Sequence, residues 1–453
     1  MAAVPWLAGP WLVAASLAAL GRTGAAFDVR VAKGFYSRPY NMVRLSVIGG
    51  SPAPGLPAED APSLGPSAYS APFVHRWTSK TLQSELVSVD AGGTKVDLGD
   101  GEHVQLELPA QGSGVTGLFF SDPCFTSRGG FKCPNGKKFK ILERLTFILN
   151  RLLGSDEFHF WGMLGDIFYD VLGGVSSEFF ARLSLKAKSK PLLVAVGNHD
   201  FWLGGQPPGG PGDELGYGFM QFYGQDTVAG LGPTPYNFAG SPDALEIARG
   251  ENFIYGTQIG DLAFFSFSAA HDWESTLPHA APFCAWAGRE PTVHAVVILG
   301  HWDVCDLGCV PGMDTPSVFA RMKTMSGCST KRMLLFTGHQ HCNRAINSSG
   351  PLDAHAFVLG GTGMWGPGCS QFGFTVLQSN PGAPGGPNVR VDHFPVAASD
   401  FRDLPNSAHY MMRPAYWNAP PAYDRFEALA ACLNRSGYAG CRSEHGQSLR
   451  AIS

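Results

Sequence analysis

From Val115 onward the chain repeats one pattern: a short apolar run, a polar residue at its end, then a helical or irregular segment. The runs are "VTGLFFSD", "FHFWGMLGD", "PLLVAVGNHD", "LAFFSFS", "HAVVILGH", "RMLLFTGH", "AFVLGG", "FTVLQ" and "VRVDHF". Continuous apolar runs of this length read as buried strands. Between them, Ile141, Leu145, Ile148, Leu149 and Leu152 mark one face of a helix, and "SSEFFARLSL" reads as another. Buried strands alternating with helices restrict the chain to α/β layering, in which helices cover a sheet.

The run ends carry residues of metal-binding type: Asp122, Asp166, Asn198 with His199, His301, and His339 with His341. In layered α/β folds ligands gather outside the carboxyl ends of strands, so five strands deliver polar groups to one rim. Each residue alone has a bland reading. An Asp after a strand is commonly a turn former or helix cap, and a single His is more often surface than ligand. The ordered set is what carries weight: Asp, Gly-Asp, Gly-Asn-His, Gly-His, Gly-His-x-His, with glycine before the ligand in four cases. Glycine lets backbone approach a ligand closely. In "GHQH" the two histidines are two apart, and on an extended chain such a pair points the same way. Together these features predict a dinuclear metal site.

At 453 residues and 44% hydrophobic, the chain supports two or three domains with a large interior. A net charge of -4 provides no basic field, which argues against nucleic-acid binding. Residues 27–114 form short alternating strands, "NMVRLSVI", "ELVSVDAG" and "HVQLELPA", interrupted by a Pro/Gly/Ser/Ala-rich excursion. They are expected to be a small β-rich N-terminal domain. Residues 115–397 form the α/β unit, and 398–453 a tail with one helix, "RFEALAACL". The Gly/Pro-rich stretch 201–236 is longer than an ordinary connection and starts right after Asn-His-Asp, which suggests a role at the mouth of the pocket.

Residues 1–26 have an apolar stretch followed by small residues ending in Gly24-Ala25-Ala26, as in a secretory signal peptide cleaved after Ala26. The absence of Lys or Arg before the apolar stretch leaves a retained anchor as the alternative. No later stretch is long and apolar enough to span a bilayer, so no stable membrane insertion is expected once the signal is removed. All ten cysteines lie beyond this segment, an even number that suits disulfides in an oxidising compartment. Cys124 with Cys133 and Cys432 with Cys441 are the local pairs. Sequons at Asn347-Ser348-Ser349 and Asn434-Arg435-Ser436 agree with a secreted or lysosomal address.

The ordered motifs "GDIFYD", "GNHD", "LGHWDV" and "GHQH" resemble the calcineurin-like metallophosphoesterase superfamily, most of all the short purple acid phosphatases, over about residues 115–395. The resemblance implies a four-layer β-sandwich flanked by helices. It also implies two metal ions, Fe plus Fe, Zn or Mn: Asp166 bridging both, Asp122, Tyr169 and His341 on the first, and Asn198, His301 and His339 on the second. His199 would bind the phosphoryl group or protonate the leaving oxygen. The implied activity is phosphomonoester hydrolysis by a metal-activated water, the alternatives being a phosphodiesterase of the same superfamily or a non-catalytic binding protein on the scaffold. Oligomeric state is left open.

Two positions depart from the pattern. Most of the superfamily has Asp-x-His where this chain has Asp122-Pro123-Cys124, and purple acid phosphatases have Gly there with a tyrosinate taking over. Tyr169, three residues after Asp166, stands in the matching place. Cys124 either pairs with Cys133 or offers a thiolate to the metal.

Overall fold

The computed structural model describes residues 28–50, 69–72, 80–99, 101–125, 133, 136, 139–170, 173–201, 219, 222–231, 250–346, 356–359, 371–383, 388–399 and 421–448. Residues 1–26, expected above to be a signal segment, the Asn347 sequon, and residues 202–218, 220–221 and 232–236 of the long Gly/Pro-rich stretch lie outside these.

Four N-terminal strands, β1 (Asp28–Lys33), β2 (Met42–Gly50), β3 (Tyr69–Pro72) and β4 (Lys80–Ser88), form an antiparallel sheet in the order β1-β2-β4-β3. A hairpin of β5 (Thr94–Gly99) and β6 (Glu102–Leu106) forms a separate two-stranded sheet packed against it. Val43, Leu45 and Val47 alternate along β2, so one face is apolar. With Val29 and Val31 of β1 and Leu98, Val104 and Leu106 of the hairpin, they enclose a small separate core.

The chain then builds two larger sheets. Strands β7 (Thr116–Phe120), β8 (Phe160–Leu164) and β9 (Leu192–Ala195) pair in parallel, joined by helices α1 (Ile141–Leu153), α2 (Gly174–Ala181) and α3 (Leu185–Lys188). A second sheet starts with the antiparallel pair β10 (Tyr255–Ile259) and β11 (Leu262–Ser266). It continues in parallel through α4 (Trp273–Arg289), β12 (Ala295–Leu299), α5 (Thr315–Lys323) and β13 (Arg332–Thr337). The strand pair β14 (Asn343–Ile346) and β15 (Ala356–Leu359) completes six strands, with β14 at the edge. Strands β16 (Gln371–Asn380) and β17 (Asn388–Ser399) return antiparallel to β7. Strands β18 (Pro421–Asp424) and β19 (Gln447–Ser448) pair with β17, on either side of helix α6 (Phe426–His445).

Every parallel strand is buried on both faces, as parallel sheets require. Phe119, Phe160, Leu193, Phe264, Val297, Leu299, Leu334 and Phe336 fill the space between the sheets. Ring centroids of Phe119 and Phe336 lie 5.0 Å apart, and those of Phe160 and Phe264 5.2 Å. The alternate residues point outward. Leu118, Phe120, Trp161 and Met163 meet α1 and α2, while Val296, Ile298, Met333 and Leu335 meet α4 and α5. The result is a helix–sheet–sheet–helix sandwich, the four-layer arrangement that the motifs implied. All five helix-face residues from Ile141 to Leu152 are buried. Helix α4 carries Pro278 and Pro282 internally, which hides its helical period in the sequence.

Residues after 397 join the first sheet through β18 and β19, and α6 packs on α1, where the Phe147 and Phe426 rings meet at 5.7 Å. The N-terminal sheet is tied in by Asp226, the anchor of the described part of the 201–236 stretch. Its carboxylate accepts from the Phe35 amide (2.8 Å), from Arg38 Nε (2.8 Å) and from Arg44 Nε (2.9 Å). Both Asp226 and Arg44 are buried. Removing one partner of such a network strands the other charge. Asp226→Ala is expected to cost about 3–5 kcal/mol, measured by denaturant unfolding; a loss under about 1 kcal/mol would show that water reaches Arg44.

Candidate metal centre

The expected site residues sit just past the ends of parallel strands. Asp122 and Asp166 follow β7 and β8 by two residues, and Asn198 follows β9 by three. His301 follows β12 by two, and His339 and His341 follow β13 by two and four. Three donors thus come from each sheet, and they converge at the same end of both.

The four glycines before these residues have a steric reason. A Cβ on Gly165 would run into the His301 ring, on Gly197 into the Asp166 carboxylate, on Gly300 into Thr315, and on Gly338 into Ser121 and Asp122. The backbone of the ligand residues is itself unusual. Among the described residues seven non-glycines have positive φ, and five of them are Asp122 (52°), Asp166 (49°), Tyr169 (50°), His339 (73°) and His341 (52°). This left-handed conformation costs of order 1–3 kcal/mol per residue and gathers at functional sites. It also corrects one expectation. His339 and His341 do not alternate as in an extended chain; the left-handed backbone turns their rings toward different partners.

Two groups of donor atoms result, each within 4.8 Å of one another: Asp166, His301 and His339, and Asp122, Asp166 and His341. Asp166 belongs to both. His301 Nε2 lies 3.4 Å from Asp166 Oδ1, 3.2 Å from Asn198 Oδ1 and 3.2 Å from His339 Nδ1. His341 Nε2 lies 3.5 Å from Asp122 Oδ1 and 3.1 Å from the Tyr169 hydroxyl, which is itself 3.4 Å from Asp122 Oδ1. The His199 backbone amide donates to Asp166 Oδ1 at 2.8 Å, and its ring stands 5.0 Å from that of Tyr169. The eight sequence-derived residues thus lie in one cluster of contacts.

Cys124 is bonded to Cys133, so its sulfur is not available as a thiolate, and the disulfide packs against Tyr169. Cys432–Cys441, Cys284–Cys328 and Cys305–Cys309 are also bonded. Among the described residues no helix is long and apolar enough to cross a membrane.

Sequence reasoning missed two supports. Asp200 accepts from the Ile167 and Gly197 amides, both at 2.7 Å, joining the turns that carry Asp166 and Asn198. Its signal was the third residue of the Asn-His-Asp triplet. Ser121 donates to Asp122 Oδ2 at 2.6 Å, a contact with no marker in the sequence.

The electrostatics are those of a cation site. Asp122, Asp166 and Asp200 are buried, and no lysine or arginine is among their described partners. Burial pushes the Asp122 carboxyl up to about 8, only partly offset by His301. Burial also works to raise Asp166, but His301 and His199 prevail and hold it below the ordinary carboxylate range. His301 is raised to about 10 against burial, by Asp166 and Asp122. Burial and the adjacent carboxylates push Tyr169 well above a normal phenol. Without another cation, Asp122 takes up a proton and Tyr169 keeps its own. Carboxylate, amide, imidazole and phenol oxygen suit hard or borderline cations, so the donor set fits iron, zinc or manganese.

No family profile and no curated protein matches the chain. Similar solved structures include a purple acid phosphatase from yellow lupin (Lupinus luteus) seeds, with 15% identity over 81% of this chain and 71% of that one, TM-score 0.49. PhoD matches at 13% identity over 84% and 88%, TM-score 0.41. A protein described as a 5'-nucleotidase from Staphylococcus aureus matches at 14% identity over 66% and 57%, TM-score 0.36. The structural neighbours thus include calcineurin-like metallophosphoesterases. At these identities and scores the likeness does not speak to activity, which rests below on the site itself.

The raised Asp122 has a consequence for the metal-free protein. A carboxyl raised in the folded state contributes stability that is present below its unfolded value near 3.8 and is lost as pH rises through about 8. Metal-free wild type should therefore lose thermal stability relative to metal-free Asp122→Asn as pH is raised from 4 to 8. Parallel melting temperatures across this range would contradict the assignment.

Proposed function

We propose that the chain is a metal-dependent phosphohydrolase acting on phosphomonoesters. The carrying observation is the pair of donor groups that share Asp166. Asp166 would bridge the two ions, with Asp122, Tyr169 and His341 completing one side and Asn198, His301 and His339 the other. When bound, the two ions would supply charge neutralisation of a phosphate and acidification of a water nucleophile. The chain's own residues do the rest. Asp200 keeps the Asp166 and Asn198 turns in register, and the glycines leave room for the donor side chains packed against them. His199 would donate from its ring to a phosphoryl oxygen or to the leaving oxygen.

An oxidising compartment is supported by the disulfides, and we assign the chain to the secretory or lysosomal pathway. Asn434 of the second sequon is exposed on α6 and accessible to glycosylation.

The test is turnover of an aryl phosphomonoester against a diester by protein of measured metal content. His339→Ala is expected to lose one ion and most activity while remaining folded. His199→Ala should keep both ions and lower the rate by roughly 10²–10⁴-fold, the range of a general acid. Faster diester than monoester turnover would redirect the reading to a phosphodiesterase.

Tyr169 separates the iron reading from the others. With Fe(III) beside Asp122 and His341, a phenolate should give a visible charge-transfer band, and Tyr169→Phe should abolish it. A colourless, fully active zinc or manganese enzyme would exclude the purple acid phosphatase subtype and leave the wider phosphohydrolase reading intact.

A further inference from the structure

Each imidazole of the Asp166 group has one ring nitrogen turned into the group and the other engaged outside it. His301 meets the Leu164 carbonyl through Nδ1 at 2.8 Å, leaving Nε2 for the group. His339 has the reverse arrangement: Nδ1 faces His301 Nε2, while Nε2 meets Asp306 Oδ1 at 2.5 Å. An acceptor on one nitrogen fixes the neutral tautomer and ring angle, and leaves the opposite lone pair free for a ligand.

Asp306 is 33 residues from His339 in sequence, on the loop that follows His301. That loop is unusually well held. Cys305 and Cys309 are bonded with Cα atoms 5.2 Å apart, and the Cys309 amide donates to the Asp306 carbonyl at 2.8 Å. Trp302 Nε1 donates to the Leu307 carbonyl at 3.0 Å, and the Val310 amide donates to the Ala269 carbonyl at 2.8 Å. The base of the loop packs on the core through Trp302, Cys309 and Val310, but its tip is open. The Asp306 side chain is 52% exposed and Leu307 is 66% exposed. The disulfide and three hydrogen bonds pin this exposed tip, and with it the carboxylate that meets His339. His339 needs such an anchor because its left-handed backbone, φ 73°, places it beyond the strand's pleat.

We infer that Asp306 is a positioning residue for His339, and that the Cys305–Cys309 disulfide serves to hold Asp306 in place. Asp306 selects the Nε2-protonated tautomer, so that Nδ1 presents its lone pair to the Asp166 side of the centre. As a statement about metal binding this rests on the two-ion reading above; the tautomer does not depend on it.

Two measurements test it on the full chain. In metal-free protein, imidazole ¹⁵N shifts should show His339, assigned by its absence in His339→Gln, as the Nε2-protonated tautomer. Asp306→Ala should lose that preference, and Asp306→Asn, whose amide oxygen can still accept, should restore it. In zinc-loaded protein, Asp306→Ala should release one of two ions to a chelator about 10–100-fold more readily and leave the other unchanged, the usual size of an outer-shell effect. Joint replacement of Cys305 and Cys309 by Ser should give part of the same loss and add nothing on top of Asp306→Ala, as expected for groups acting as one unit. An unchanged tautomer, or wild-type release of both ions from Asp306→Ala, would overturn the assignment. A wild-type chain that binds fewer than two ions but keeps an Asp306-dependent tautomer would instead sink the two-ion reading alone.

Discussion

Two carboxylates, Asp122 and Asp166, are buried where the ends of the two sheets meet, with histidines but no described lysine or arginine beside them. Burying such charges is tolerated only when they are paired, protonated or bound to a cation. Much of the local structure answers that constraint. Ser121 and the His339 amide support Asp122, and the His199 amide supports Asp166. Asp200 accepts from the Ile167 and Gly197 amides, which sit next to neighbouring ligands. The left-handed backbone at five site residues is the conformational cost of aiming donors inward from strand ends.

Such strain persists only on a rigid base. The two sheets supply three donors each, so the separation between donor groups is set by the aromatic layer that holds the sheets apart, where Phe119, Phe160, Phe264 and Phe336 interlock. Close-packed interiors transmit small changes in side-chain volume over distance. A core substitution far from the pocket would therefore alter the metal geometry as well as stability. The N-terminal sheet and α6 brace the sandwich from outside, through Asp226 and through the contacts of α6 with α1 and β17.

The disulfides divide in the same way. Cys284–Cys328 spans 44 residues and links α4 to the short turn before β13, a cross-link of the outer layer. Cys124–Cys133 backs Tyr169, and Cys305–Cys309 closes the loop that carries Asp306. Both of these close short loops beside the pocket.

Much of this was legible in the sequence because it is local. Buried strands appear as apolar runs, ligands as polar residues at their ends, and close backbone approach as a preceding glycine; Gly165, Gly197, Gly300 and Gly338 all meet that steric demand. The short disulfides Cys124–Cys133 and Cys432–Cys441 were readable from spacing in the same way. What tertiary structure decided depends on groups distant in sequence. Helix α4 forms despite Pro278 and Pro282 because its Ala280, Phe283, Cys284 and Ala287 are buried, and packing outweighs propensity. Strand β16 takes its place beside β7 from more than 250 residues away, and β17 pairs with β16. Which nitrogen of His339 faces the site is set by Asp306 from another loop. Periodicity and turn chemistry can name the donors, but the direction of each donor is fixed by contacts that exist only once the two sheets have closed on one another.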